Sequence, residues 1–283
     1  MNTRPLFGTG SLPPREWQPT PFIKASFALH AVGAVALGST PKTWPWVLSA
    51  VAGNQALIMV ASMWPRSAWI GENIRSLPAT SIAQNEVALT FDDGPDPEVT
   101  PRVLDILDRR GYRASFYVVG EKALKHPEIV QEIVKRGHAV ENHSHRHANG
   151  FAFYGSRHLH KEIETAQTAI AEITGSAPRF FRAPMGLRTP FLDPVLARLG
   201  LHYSTWTRRG FDSVAKDAVP VLQRLTKGLA AGDILLLHDG SMLATRRTKP
   251  IVLDVLPNLL TKISEAGLKP VTLRHACRDV IGE

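Results

Sequence analysis

Glu86-Val87-Ala88-Leu89-Thr90-Phe91-Asp92-Asp93-Gly94-Pro95 is an apolar strand that stops abruptly at two adjacent carboxylates and a Gly-Pro turn. Working outward, the pattern repeats. Ala114 to Val119, His138 to Glu141, Arg179 to Arg182, Leu201 to Trp206, Ile234 to His238 and Pro270 to Leu273 read as further short strands. Helical stretches alternate with them: Val103 to Arg110, Pro127 to Arg136 (stopped by Gly137), Ser156 to Thr174 (stopped by Gly175) and Pro250 to Ala266. Buried apolar strands alternating with helices predict an α/β class and a parallel sheet covered by helices, in about seven units. That number suits an incomplete (β/α) barrel, with an open doubly wound sheet as the alternative.

In such sheets functional groups collect just beyond the carboxyl ends of the strands. Asp92-Asp93 follows the first strand, His143, His145 and His147 the third, Arg182 the fourth, Asp212 the fifth, and His238-Asp239 the sixth. Five such ends predict one shared site. Adjacent carboxylates repel and need a cation or separate partners. His143 and His147, four apart, would share one face of a helical turn, as two metal-binding imidazoles do. Two His and one carboxylate suit Zn²⁺, and also Fe, Co or Ni. His145 would then face away. His158-Leu159-His160 reads as solvated surface at a helix start.

These residues resemble a known family. Thr90-Phe91-Asp92-Asp93-Gly94-Pro95, His143-Ser144-x-x-His147, Arg182-x-Pro184-x-Gly186 and Leu236-Leu237-His238-Asp239 are similar, in order, to the successive motifs of the polysaccharide deacetylases, the NodB-homology domain of carbohydrate esterase family 4. The resemblance covers roughly Glu86 to Leu273. It implies a distorted, incomplete (β/α) barrel that hydrolyses an N-acyl, usually N-acetyl, group on an amino sugar. It implies Asp93, His143 and His147 as ligands of one divalent metal ion, zinc first. Asp92 would be the general base, Arg182 the group that orients and tunes it, His238 the general acid and Asp212 the carboxylate holding His238. Pro184, Met185, Gly186 and Leu236 would contact substrate. Met185 stands where the family usually has an aromatic residue, and Ser213 where it has Trp. Thr207-Arg208-Arg209 is basic where an acidic residue is common, which would fit a phosphate-linked substrate.

Residues 1–83 differ in composition, and residues 84–283 form the expected catalytic domain. After a Pro-rich opening come two apolar runs, about 22–39 and 44–64. Roughly 20 apolar residues suffice to cross a bilayer as a helix. Trp44, Trp46 and Trp64 sit at the ends of the second run, where indoles favour the headgroup level. Asn54 and Gln55 in its middle need partners, which the first run would supply in a helical hairpin. A single span and a soluble helical lid are the alternatives. Arg4, Arg15 and Lys24 precede the hairpin, Arg66 and Arg75 follow it, and Lys42 lies between. The positive-inside rule then puts both ends on the cytoplasmic side of a membrane, the inner membrane if the source is bacterial. No cleavage site of a signal peptide precedes a mature start.

The 283 residues carry a net charge of +8. A solvated surface accounts for that excess most simply, and a face toward anionic lipid or a phosphorylated substrate is the alternative. No RNP pattern, paired zinc-finger cysteines or basic helix points to nucleic acid. Cys277 is the single cysteine, so no disulfide within the chain is possible. With His275 it lacks the third, orienting group that a thiol nucleophile needs. The expected function is a metal-dependent hydrolase removing N-acetyl from an amino sugar of a polysaccharide or lipid-linked glycan. A deformylase or other deacylase of a lipid-linked sugar keeps the same site. A non-catalytic membrane carbohydrate-binding protein is the reading of a different class, and Asp92 with His238 speaks against it.

Overall fold

A computed structural model describes residues 12–240 and 250–281. The chain runs α1 (Pro21–Ser39), α2 (Trp44–Met63), α3 (Ala79–Ala83), β1 (Glu86–Gly94), α4 (Thr100–Asp108), β2 (Ser115–Val118), α5 (Gly120–Lys125), α6 (Pro127–Lys135), β3 (Ala139–Asn142), α7 (Ser156–Thr174), β4 (Phe180–Phe181), α8 (Leu192–Arg198), β5 (His202–Tyr203), β6 (Arg208–Arg209), α9 (Ala218–Thr226), β7 (Ile234–His238), α10 (Val252–Glu265), β8 (Lys269–Val271), α11 (Leu273–Ala276) and α12 (Arg278–Ile281). Local chemistry sets several boundaries. Pro127 begins α6, where its missing N–H costs nothing. Gly175 ends α7 in the left-handed region at φ 71°.

The strands form one parallel sheet in the order β5-β4-β3-β2-β1-β7-β6, with β8 paired to the start of β1. It curls into a half-barrel with helices around it, which is the incomplete (β/α) barrel expected from the sequence. β1 is buried along its whole length, as a central strand covered on both faces must be. Period-two alternation divides its side chains. Val87, Leu89 and Phe91 join Phe116, Val118, Leu235 and Leu237 in the core under α4, α6 and α10. Ala88 joins Tyr117, Phe180, Ile234, Leu236 and Trp206 on the other face, inside the curl.

No β5–β6 pairing exists among the described residues, and the gap is filled from an unexpected direction. The segment before α3 runs into it. Ile74 donates to the Tyr203 carbonyl and accepts from Thr205, while Leu77 donates to Gly232 just before β7. Residues whose composition groups them with the N-terminal region thus close the curl.

The N-terminal helices form a hairpin, and both are long and apolar enough to cross a membrane. The polar residues in mid-helix do find partners on the facing helix. Asn54 donates to Ser26 Oγ at 2.8 Å, and Gln55 lies 3.5 Å from the His30 ring. Phe27, Val32, Val35, Trp46, Leu48, Met59 and Val60 remain exposed on its outside. Arg4, part of the charge pattern above, lies outside the described residues. Both feet of the hairpin stand on the same side of the sheet domain. Arg15 pairs with Glu72 at 2.9 Å, and Trp17 donates to Asp193.

Arg188 secures the second foot. Its side chain is 1% exposed, and its guanidinium donates to the carbonyls of Ser67, Gly71 and Glu72. Arg188→Met keeps volume but strands those carbonyls. We expect a loss of about 3 kcal/mol, roughly 6–12 °C in Tm, in thermal unfolding. An unchanged Tm would mean that water replaces the guanidinium.

Candidate active site

Residues paired across parallel strands share a face, so the register of β1 decides what meets at its end. Asp92 lies opposite Tyr117 on β2 and His238 on β7. It continues the inward series Ala88, Thr90, Asp92, and so projects into the curl beside His238. Asp93 escapes the outer core because its backbone turns left-handed, at φ 70°. The alternation that would have sent it to the outer core is broken there.

Two ion pairs hold the inward groups. Arg182, fully buried after β4, donates to Asp92 Oδ1 at 2.6 Å and to Thr90 Oγ1 at 2.9 Å. It also donates to the Thr205 and Ser204 carbonyls and stacks 4.0 Å over Tyr117. Asp92 Oδ2 is left 3.8 Å from His143 Nε2. On the other wall Asp212 accepts from the His238 backbone N–H at 2.7 Å and from its Nδ1 at 2.9 Å. Burial works against the His238 imidazolium, but the Asp212 charge and hydrogen bond outweigh it, with Asp92 and Asp93 adding to them. His238 is pushed up to about 9.

Asp93, His143 and His147 converge, each offering one ligand atom, all within 4.8 Å of one another. They do so without the helical turn that their spacing suggested. The segment is an irregular loop, with Ser144 at φ 66° and His147 at φ 51°. Ser144 N–H donates to Asn142 Oδ1, and Ser144 Oγ accepts from His147 N–H. Side-chain hydrogen bonds, not helix periodicity, turn both rings inward. His145 stands outside the cluster, half-buried with its Nδ1 against Gly120.

The donor set fits a cation. His143 Nδ1 lies 2.8 Å from the Arg182 carbonyl, which must receive a proton from it. Its Nε2 therefore presents a lone pair, and faces Asp93 Oδ1 at 3.3 Å. His147 Nε2 approaches the same oxygen at 3.1 Å, and that buried oxygen has no hydrogen-bond donor. Electron-rich atoms converging on one point suit a shared divalent ion.

These groups open into a cavity of about 350 Å³, also lined by Asn149, Met185, Gly186, Trp206, Arg209, Ser213, Val214 and Leu236. Of the four residues expected to touch substrate, Met185, Gly186 and Leu236 line it. Pro184 is buried and is not part of the lining. Met185 adopts φ 57°, and its N–H has no backbone acceptor among the described residues. Sequence reasoning gave Trp206 no place in the cavity, and it set Arg208 and Arg209 near the pocket without saying which of them faces it. The signal lay in the register of β6, which sets Arg209 opposite Leu236 and hence on the inner face. Asp239 is not in the lining: it lies under Gly94, hydrogen-bonded to Thr100 at 2.6 Å, and burial pushes it up to about 7. His160 pairs with Glu164 at 3.4 Å and His158 stacks on Tyr154, both away from the site.

Residues 81–204 match the polysaccharide deacetylase family. The chain is 35% identical over 175 residues to a chitooligosaccharide deacetylase of Sinorhizobium fredii, covering 59% of this chain and 78% of that protein. It is 32% identical over 187 residues to the peptidoglycan-N-acetylglucosamine deacetylase PgdA of Listeria monocytogenes, covering 66% of this chain but only 38% of PgdA. Among solved structures, a family 4 carbohydrate esterase from Streptomyces lividans, in complex with acetate, superposes with a TM-score of 0.59. It is 30% identical, over 66% of this chain and 91% of that one. With the sheet, the ordered motifs and these relatives in agreement, the chain belongs to the polysaccharide deacetylase family, hydrolases of carbon–nitrogen bonds other than peptide bonds.

Proposed function

We infer that the protein is a membrane-anchored, metal-dependent N-deacetylase acting on an amino sugar of a polysaccharide or lipid-linked glycan. The observation that carries this reading is a cavity with a held carboxylate on one wall, a held imidazolium on the other, and three metal-ligand atoms between them. A binder would need no proton acceptor facing a proton donor.

Asp93, His143 and His147 would hold the ion, with zinc the first choice and Co, Ni or Fe the alternatives. A bound divalent ion supplies Lewis-acid chemistry, acidifying water and polarising a carbonyl. Asp92 takes the proton of the attacking water on Oδ2, while Arg182 fixes Oδ1 and so the orientation of the whole carboxylate. The Met185 N–H donates to the amide oxygen as negative charge develops there. His238 gives its Nε2 proton to the departing amine, otherwise a poor leaving group, and Asp212, which accepts from Nδ1–H, keeps the ring protonated beforehand. Leu236, Met185 and Trp206 surround the acyl group and limit the water that reaches it.

Asp92→Asn should lower kcat by about 10²–10⁴, while elemental analysis still finds the metal. Loss of both metal and activity would make Asp92 a ligand instead of the base. A group that must be protonated loses function as pH rises through its pKa, so the basic limb of the wild-type rate profile should fall above the ordinary imidazole range. Asp212→Asn removes the charge that raises His238, and its basic limb should move to lower pH. An unmoved limb would take the acid role from His238.

The hairpin would anchor the enzyme with both feet on the cytoplasmic side, following Arg15, Lys24, Arg66 and Arg75. Reporter fusions at the C-terminus test this. Activity of a reporter that works only in the cytoplasm is expected, and activity of one that works only after export would place the catalytic body outside.

A further inference from the structure

We propose that Arg209 is the specificity residue of this cavity and receives the phosphate of a lipid-linked N-acyl amino sugar. This deepens the deacetylase reading above and rests on it and on the membrane hairpin. β6 consists of two neighbouring arginines, which a strand sends to opposite faces. Arg208 is occupied: it pairs with Asp233 and donates to the carbonyls of Lys227 and Gly228. Arg209, opposite Leu236, turns into the cavity. Its guanidinium lies 5.3 Å from the Trp206 ring centre and 4.8 Å from that of Phe211, and its Nε is buried without a hydrogen-bond partner. No carboxylate pairs with it among the described residues. The two carboxylates of the lining are committed, Asp92 to Arg182 and Asp93 to His143 and His147.

Aromatic faces position a guanidinium and offset part of its desolvation, but they leave its forked N–H groups unused. Those groups match the oxygens of a phosphate in bidentate fashion. Among the described residues, Arg209 is the one arginine in the lining. An anion held there shares the cavity with Asp92, His238 and the three ligand atoms, so it belongs to the same substrate molecule as the acyl group.

The position of the hairpin says what else that molecule carries. Gly186, in the cavity wall, is wedged between Trp206 and Pro65: a Cβ there would meet them at 2.6 and 2.8 Å. Pro65 lies two residues past the end of α2, so one wall of the cavity continues into the foot of a helix that is apolar enough for a bilayer. Met63 and Trp64 are exposed at that foot, and Met185, Phe211 and Val214 are exposed at the cavity. A sugar joined through phosphate to a prenyl chain supplies each matching part: amide at the ligand cluster, phosphate at Arg209, hydrocarbon along the apolar rim toward the membrane.

The test uses the full chain in detergent micelles, metal-loaded, with four substrates: a prenyl phosphate ester of N-acetylglucosamine, the corresponding prenyl glycoside without phosphate, N-acetylglucosamine 1-phosphate, and a neutral N-acetyl-chito-oligosaccharide. The wild type should favour the prenyl phosphate ester over the neutral prenyl glycoside by at least tenfold in kcat/KM, chiefly through KM. Arg209→Gln should bring that ratio near unity, and Arg209→Lys should restore part of it. Calorimetric binding of an inert prenyl phosphate should weaken at least tenfold in Arg209→Gln, independently of turnover. A ratio near unity in the wild type, or one that Arg209→Gln leaves unchanged, overturns the proposal while the deacetylase reading stands. Equal preference for N-acetylglucosamine 1-phosphate and the prenyl ester overturns the lipid assignment. Acyl release from none of the four overturns the deacetylase reading and this inference with it.

Discussion

A guanidinium with no access to water has to be fully met by the protein, and Arg182 meets that demand at the centre of this fold. Its partners come from β1 (Thr90 and Asp92), from β2 (the Tyr117 ring) and from the chain beyond β5 (Ser204 and Thr205). A buried charge left without its partner is strongly destabilising, so the geometry around it is narrowly defined. Elements far apart in sequence must arrive together for the charge to be tolerated. The network also reaches outward. Thr205 donates to Asn73, and Asn73 donates to the carbonyls of Pro65 and Ser67 at the foot of α2. The orientation of one catalytic-site carboxylate and the seating of the hairpin are parts of one hydrogen-bonded structure.

Adjacent carboxylates of the same chemistry are given different surroundings by a single backbone torsion. Asp92 keeps the strand conformation and meets a guanidinium. Asp93 turns left-handed and meets two imidazoles. Left-handed backbone recurs at Ser144, His147, Met185 and Phe211, all at or beside the cavity. Such conformations are costly for residues other than glycine and persist where surrounding bonds impose them. Their concentration here is what aims groups from different loops at one point.

Much of this was legible in the sequence, for a definite reason. Buried parallel strands are continuous apolar runs, and polar residues directly after them have nowhere to go but the site. Asp92, Asp93, Arg182 and His238 were therefore visible as strand-end residues. What was not legible depended on tertiary contacts. The i, i+4 spacing of His143 and His147 suggested a helix, but Asn142 and Ser144 impose a loop with side-chain hydrogen bonds. The segment around Ile74 carries no strand pattern, yet it pairs with Tyr203 and Thr205 because the gap beside β5 needs backbone partners. β6 is two residues of basic sequence with no apolar alternation, so the inward turn of Arg209 became visible only through its register with β7.

The two feet of the hairpin have a mechanical meaning. A domain tethered by one flexible strand can swivel over a bilayer and present any face to it. Here the chain leaves the catalytic body at Arg15 and Trp17 and returns at Ser67 to Glu72, and both points are fastened to the region of β5 and α8. Two attachments remove rotation about the tether. In a bilayer the cavity would then keep a fixed height and heading relative to the lipid surface, and a substrate confined to that plane would need to search in two dimensions only.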